Sequence, residues 1–357
     1  MSAGLDAGLR GWLAANACAI DQGAVPAAGI LPQLTKAGVT RIGVPETMGG
    51  AGGDTADAMA AVAGVARESL AAAFVLWGHR CYVEFLVQSS NPALRERQLP
   101  DVLAARVAGA SALSNAMKHL AGLEPLQVRT RDQGAALLVD GKLPWVTNLR
   151  PEGFWVAAAA DPAEGGPARV IALSSDDAGL TRSADLELLG MRSSDTAAVD
   201  LAGIRIGRDR IIAEDAPAWL PGVRPVFIAL QCGMALGLAE RALDEAEASG
   251  GAGRTVLAAD LAARRTDLAE AAAAIASGLR ERRFVTAPAE LFRLRIRLAD
   301  LVAQALALEL QAGGGRCYLA GPGREFARRW RESAFIPVIT PSIVQLRAAL
   351  AAAKMAA

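Results

Sequence analysis

The stretch Ala136-Leu137-Leu138-Val139-Asp140-Gly141-Lys142-Leu143-Pro144-Trp145-Val146-Thr147-Asn148 decides how the chain is to be read. Two apolar runs flank Asp140-Gly141, and an Asp-Gly pair in that setting is a strong β-hairpin signal. Just before it, Leu126-Gln127-Val128-Arg129-Thr130-Arg131 alternates with period two, as a half-buried strand does. Trp145 and Thr147 stand two residues apart, so on a strand they share a face and present a flat apolar ring beside a hydroxyl.

Working outward, short strands are predicted at 154–158, 169–173, 197–201 and 204–206, separated by Gly, Pro, Ser and Asp. Residues 106–215 therefore read as a compact β-domain, a small barrel. Upstream, residues 1–105 are helical in pattern, with Leu5, Leu9, Trp12 and Leu13 at helix spacing and an apolar stripe from Met59 through Trp77 to Leu86. The glycine-rich segment 43–53 interrupts them as a long turn, after which Asp54 can cap a helix. Downstream, residues 216–357 carry alanine- and leucine-rich helices near 224–248, 256–283 and 287–312, with two shorter ones beyond 323. These lengths suit a four-helix bundle. The fold class is thus α+β and multi-domain: N-terminal helices, a middle β-barrel, and a C-terminal helical bundle.

Composition narrows the function. At 357 residues, 52% hydrophobic and 21% charged, the chain can bury large cores and is not a disordered one. Lys plus Arg and Asp plus Glu each total 37, so no net field attracts nucleic acid or an anionic membrane. Lys36, Lys118, Lys142 and Lys354 are the only lysines, an arginine bias that fits a GC-rich bacterial genome. Four scattered cysteines and two histidines give neither a zinc motif nor a disulfide framework. Asp6 and Arg10 break any signal-peptide core, and the apolar run 225–239 is interrupted by Gln231, Gly233 and Gly237, so neither a signal peptide nor a membrane span is expected. The cytoplasm is the default location.

Helices, then a β-barrel, then a helical bundle is the order found in the acyl-CoA dehydrogenase family, and three motifs agree with it in sequence. Val44-Pro45-Glu46 with Gly49-Gly50 resembles that family's proline-glutamate-x-x-glycine-glycine turn. Gly141 to Asn148 is similar to its glycine-x-lysine-x-tryptophan-isoleucine-threonine-asparagine segment, and Leu189-Gly190-Met191-Arg192-Ser193-Ser194-Asp195-Thr196 to its leucine-glycine-x-arginine-glycine-serine-aspartate-threonine segment. The resemblance implies FAD as cofactor, an acyl-CoA or related acyl thioester as substrate, an electron acceptor, and a homodimer or homotetramer. It implies flavin contacts from Trp145, Thr147 and Asn148, from Ser114 in the loop after the first barrel strand, and from Arg254 toward a diphosphate. Lys118 and His119 add charge to that same loop, where Lys118 can face reduced flavin or a substrate carboxylate. Arg192, with Thr196, can contact phosphate or flavin groups or simply lie on a solvated turn.

The family's reaction needs a carboxylate to take the proton α to the thioester while hydride leaves for flavin N5. Counting from Arg331 places Thr340 where that glutamate usually stands. The alternative position, just before Arg224, holds Val223. A threonine hydroxyl is far too weak a base. Glu332, Glu325 and Glu214 are the remaining carboxylates considered. Three readings follow: an FAD-dependent acyl-CoA dehydrogenase-like oxidoreductase, a flavin-dependent monooxygenase on the same scaffold, and a catalytically silent binding subunit.

Overall fold

The computed structural model describes residues 5–249 and 254–355. Five helices come first: α1 Ala7–Gln22, α2 Ile30–Lys36, α3 Thr55–Glu68, α4 Leu70–Val87 and α5 Pro92–Leu103. The glycine-rich segment before α3 is a tight turn pinned by a Val44–Gly52 bridge, and a Cβ on Gly50 would lie 2.0 Å from the Val44 carbonyl oxygen. Asp54 then caps α3, accepting from the Ala56 and Asp57 amides while Asp57 accepts from the Asp54 amide. Such a reciprocal box satisfies amides that the first helical turn leaves free.

The middle region holds β1 Ala108–Ser111, α6 Ser114–Leu120, β2 Val128–Gln133, β3 Ala136–Val146, β4 Phe154–Pro162, β5 Arg169–Ser174, β6 Leu180–Asp185, β7 Ala197–Gly207 and β8 Ile211–Ala213. Their order is β6-β7-β3-β2-β4-β5-β8, with β1 added in parallel to β4. β6 and β8 end this path, so the barrel-like domain is left open.

One local expectation is corrected. Asp140-Gly141 is not a hairpin turn but lies inside the continuous strand β3, while the turn is Gly134-Ala135, with Gln133 opposite Ala136. Gly134 supplies the positive φ, 67°, that a two-residue hairpin turn requires. At Gly141 the strand bulges, and a Cβ there would stand 2.3 Å from the Gln127 carbonyl oxygen. Glycine serves close backbone approach at this point rather than chain reversal. Likewise the two short strands expected at 197–201 and 204–206 form one strand, β7.

The last region comprises α7 Ala216–Ala248, α8 Ala258–Arg280, α9 Arg283–Thr286, α10 Pro288–Gly313, α11 Arg324–Ser333 and α12 Ile343–Met355. α7 starts at Ala216 rather than near 224, because Asp215 caps it by accepting from the Ala218 amide and the helix runs on through Pro221 and Pro225. α4 and α7 are long and apolar enough to cross a membrane, yet both are buried inside the protein. α7 lies directly on α3: a Cβ on Gly233 would come within 2.5 Å of the Met59 carbonyl oxygen, and one on Gly237 within 2.1 Å of that of Ala63. Only glycine lets the two backbones approach so closely.

Candidate active site

A cavity of about 340 Å³ opens between the sheet domain and the helices. The end of β3 supplies one wall with Leu143, Pro144, Trp145 and Thr147, and β1 and α6 add Ser111, Ser114 and Lys118. The opposite wall is the segment after α11, with Phe335, Val338, Ile339 and Thr340, and Phe74 and Trp77 of α4 complete it. Its volume lies within the range of small-molecule sites.

The sheet wall is firmly held. Thr147 Oγ1 lies 3.1 Å from Thr196 Oγ1, which is 2.8 Å from Ser194 Oγ. The Asn148 amide donates to the Ser194 carbonyl oxygen and the Leu149 amide to that of Asp195, so two of the sequence motifs are hydrogen-bonded neighbours. Asn148 has φ 64°, and its Nδ2 donates to the Gly109 carbonyl oxygen at 2.8 Å. The Gly109 amide donates to His79 Nδ1 at 3.1 Å, while His79 Nε2 bonds the Val102 carbonyl oxygen at 2.9 Å. Burial pulls the His79 pKa down to about 3, so the ring is neutral and stitches α4 to α5 and β1.

Trp145 is half exposed, unusual for so large an apolar ring, and it faces the cavity. Phe74 stacks on Trp77 at 5.5 Å, and Phe335 meets Phe74 edge-on at 4.7 Å. The cavity is therefore lined by flat apolar rings and by the hydroxyls of Ser111, Ser114, Thr147 and Thr340. That combination suits a planar heterocycle with a polar edge, and the residues present fit an isoalloxazine.

Of the site residues expected from sequence, Ser114, Lys118, Trp145, Thr147 and Thr340 come together here. Asn148 does not line the cavity and instead holds β1 in place. Arg192 is exposed on the turn, where its Nε donates to the Leu188 carbonyl oxygen at 2.9 Å. Val223 is wholly buried in α7. The backbone of Arg254 opens a short 3-10 turn, and its side chain lies outside the described residues. None of the three alternative carboxylates reaches the cavity. Glu332 is buried against Arg328 at 2.6 Å, Glu325 accepts from Cys18 Sγ and Arg328, and Glu214 pairs with Arg169. Burial pushes Glu332 up to about 7, with Arg328 opposing it.

One carboxylate does line the cavity, and sequence reasoning missed it. Glu124 pairs with Lys118 at 3.1 Å and accepts from Asn115 Nδ2 at 2.8 Å. Burial pushes its pKa upward, but those two partners outweigh burial and hold it below the usual range. Its signal was available, since it is the only acidic residue between Arg106 and Arg131.

The chain's relatives agree with this architecture. Residues 12–106 match the family model of the acyl-CoA dehydrogenase N-terminal domain. Among solved structures, glutaryl-coenzyme A dehydrogenase in its glutaryl-CoA complex superposes with a TM-score of 0.83 at 17% identity, covering 100% of this chain and 97% of that one. Butyryl-CoA dehydrogenase from Megasphaera elsdenii gives 0.80 at 16% identity over 99% and 100%. KijD3, in complex with FMN and dTDP-3-amino-2,3,6-trideoxy-4-keto-3-methyl-D-glucose, gives 0.81 at 21% identity over 98% and 92%. No curated protein sequence matches the chain. Residues 12–106 thus carry the N-terminal domain of the acyl-CoA dehydrogenase family, and the chain has the acyl-CoA dehydrogenase fold from end to end.

Proposed function

We propose that the chain is a flavin-dependent oxidoreductase that seats the isoalloxazine of FAD against Trp145, between the end of β3 and the segment 335–340. The observation that carries this reading is the half-exposed Trp145 ring beside the Thr147, Ser111 and Ser114 hydroxyls in one cavity. When bound, flavin supplies a hydride acceptor and, once reduced, a reaction with dioxygen. Trp145 would cover one ring face, and Thr147 and Ser114 would meet its polar edge. Lys118 would place positive charge beside it, balanced in part by Glu124. A homo-oligomer belongs to the same proposal.

For the substrate, the structural likeness to CoA dehydrogenases points to an acyl thioester, but its dehydrogenation needs a carboxylate that is free to take the α-proton. Thr340 and Val223 occupy the positions where one was sought, and Glu124 is tied to Lys118 and Asn115 with its basicity lowered. This lining favours the second reading, in which an outside donor reduces the flavin and dioxygen completes the reaction. The test is to incubate the purified protein with excess FAD, remove unbound flavin, titrate anaerobically with acyl-CoAs, then supply NAD(P)H with a reductase and follow oxygen uptake. Stoichiometric flavin that acyl-CoAs leave yellow, followed by substrate-dependent oxygen uptake, is expected. Bleaching by an acyl-CoA would restore the dehydrogenase reading, and a protein that retains no flavin would leave only a binding subunit. Mass spectrometry of the extracted flavin separates FAD from FMN.

A further inference from the structure

Beside the main cavity lies a smaller one of about 140 Å³, lined by Met117, Leu120, Phe292 and Leu346 together with Arg224 and Gln345. The two share Lys118 as a wall, and Thr340 of the first is followed in the chain by Pro341 of the second. Arg224 belongs to a minority of arginines without a protein partner, the fully buried Arg80 being another. Most are paired with a carboxylate or cap a carbonyl oxygen, whereas Arg224 has neither partner among the described residues. Its Nε is fully buried and unbonded. The guanidinium stacks over Phe292, 5.5 Å from the ring centroid, which engages its face and leaves its N–H edge to be satisfied. Burial lowers its pKa, and no neighbouring carboxylate offsets that. A half-buried cation without a counter-ion keeps part of that desolvation cost, and an arginine edge matches a carboxylate with two parallel hydrogen bonds.

Among the described residues no carboxylate lines this smaller cavity, and Lys118 brings its own neutralising partner, Glu124. Gln345, whose amide oxygen accepts from the Ser342 amide at 2.7 Å, adds an NH₂ donor to the lining. The rest of the lining is apolar. We propose that Arg224 is the anion-binding residue of the substrate site, and that the substrate carries a carboxylate on a short apolar chain held in this cavity. The reacting part then lies past Lys118, in the larger cavity, a placement that rests on the flavin reading above. The carboxylate is a specificity handle and takes no part in the redox step.

The probes are hexanoate and its neutral counterpart hexanamide, added to the full chain and followed by calorimetry and by thermal unfolding. Hexanoate should bind the wild type and raise its Tm, and hexanamide should do neither. Arg224→Gln should weaken hexanoate binding by at least about tenfold, as loss of a charge-assisted hydrogen bond does. Arg224→Lys, which keeps the charge and loses the fork, should fall in between and decides the matter if the Gln variant does not fold. Equal binding of hexanoate by wild type and the Lys and Gln variants, or of hexanamide by the wild type, overturns the proposal. Inorganic phosphate binding as tightly as hexanoate overturns the apolar-chain part of it. Flavin content is recorded on the same samples. Hexanoate binding by a protein that retains no flavin sinks the flavin reading and leaves the Arg224 site standing.

Discussion

The two walls of the main cavity are built in opposite ways. On the sheet side, polar groups are paired with one another: His79 and Asn148 both converge on Gly109, and Thr147, Thr196 and Ser194 form a chain of hydroxyls. On the helical side, Gln231 Nε2 holds the Thr340 carbonyl oxygen at 2.8 Å and buried Arg295 holds that of Ile336 at 2.5 Å. Yet Gln231 Oε1 and two of the Arg295 nitrogens have no partner among the described residues, and nearby Arg224 has none either. A wall whose hydrogen bonds are complete fixes a flat surface in one place. A wall with polar groups to spare is where a ligand's chemistry can be read, and Thr340 lies on it.

The largest effect should come from acid on the sheet side. The His79 pKa is about 3 in the folded protein against 6.5 ordinarily, so its contribution is complete above pH 6.5 and is lost as pH falls toward 3. The full loss amounts to about 5 kcal/mol. Denaturant unfolding at pH 7 and pH 4 captures about 3 kcal/mol of it, since pH 4 is still above the folded value, and His79→Gln should flatten the slope. Glu332 runs the other way: its folded pKa, raised to about 7, gives stability below the ordinary carboxylate value that is lost as pH rises through 7. An identical slope in wild type and His79→Gln would break the picture of a wall stitched by a neutral imidazole.

The next effect sharpens the contrast from the helical side. Thr340→Glu places a carboxylate in the cavity and should speed anaerobic bleaching of bound flavin by an acyl-CoA by about a hundredfold or more, the usual scale of general-base assistance. A variant that folds, holds flavin and bleaches no faster would remove Thr340 from the base position. Trp145→Ala should weaken flavin binding about thirtyfold, or about 2 kcal/mol, the scale of burying one large apolar side chain. It should leave the unfolding midpoint nearly unchanged, because the ring is half exposed without a ligand. The smallest effect is expected for Asn148→Gly, which accepts the positive φ and deletes only the bond to the Gly109 carbonyl oxygen. A loss of about 1 kcal/mol in denaturant unfolding would fit one net hydrogen bond.

Much of this was legible in the chain, because helical and strand periodicities report burial directly. The residues Ser114, Lys118, Trp145, Thr147 and Thr340 were named from sequence and line one cavity. Phe74 and Trp77 were visible only as part of an apolar stripe, since periodicity marks a buried face without distinguishing core from cavity floor. Asp140-Gly141 misled because a glycine that admits a neighbouring backbone and a glycine that turns the chain look alike in sequence. Asp140 instead spends its carboxylate on the Gly203 amide, at 2.7 Å, and on Arg131. In the sequence Arg224 stands out only as the neighbour of Val223, because having no partner is a property of the fold around a residue and leaves no mark on the residues beside it.

The contact of α7 with α3 has a mechanical consequence. With Gly233 and Gly237 set against the carbonyls of Met59 and Ala63, the two helical regions are joined backbone to backbone, and separating them would open that contact first. Amide exchange should accordingly be slowest through the glycine contact and faster along the seam where the sheet domain rests on α4.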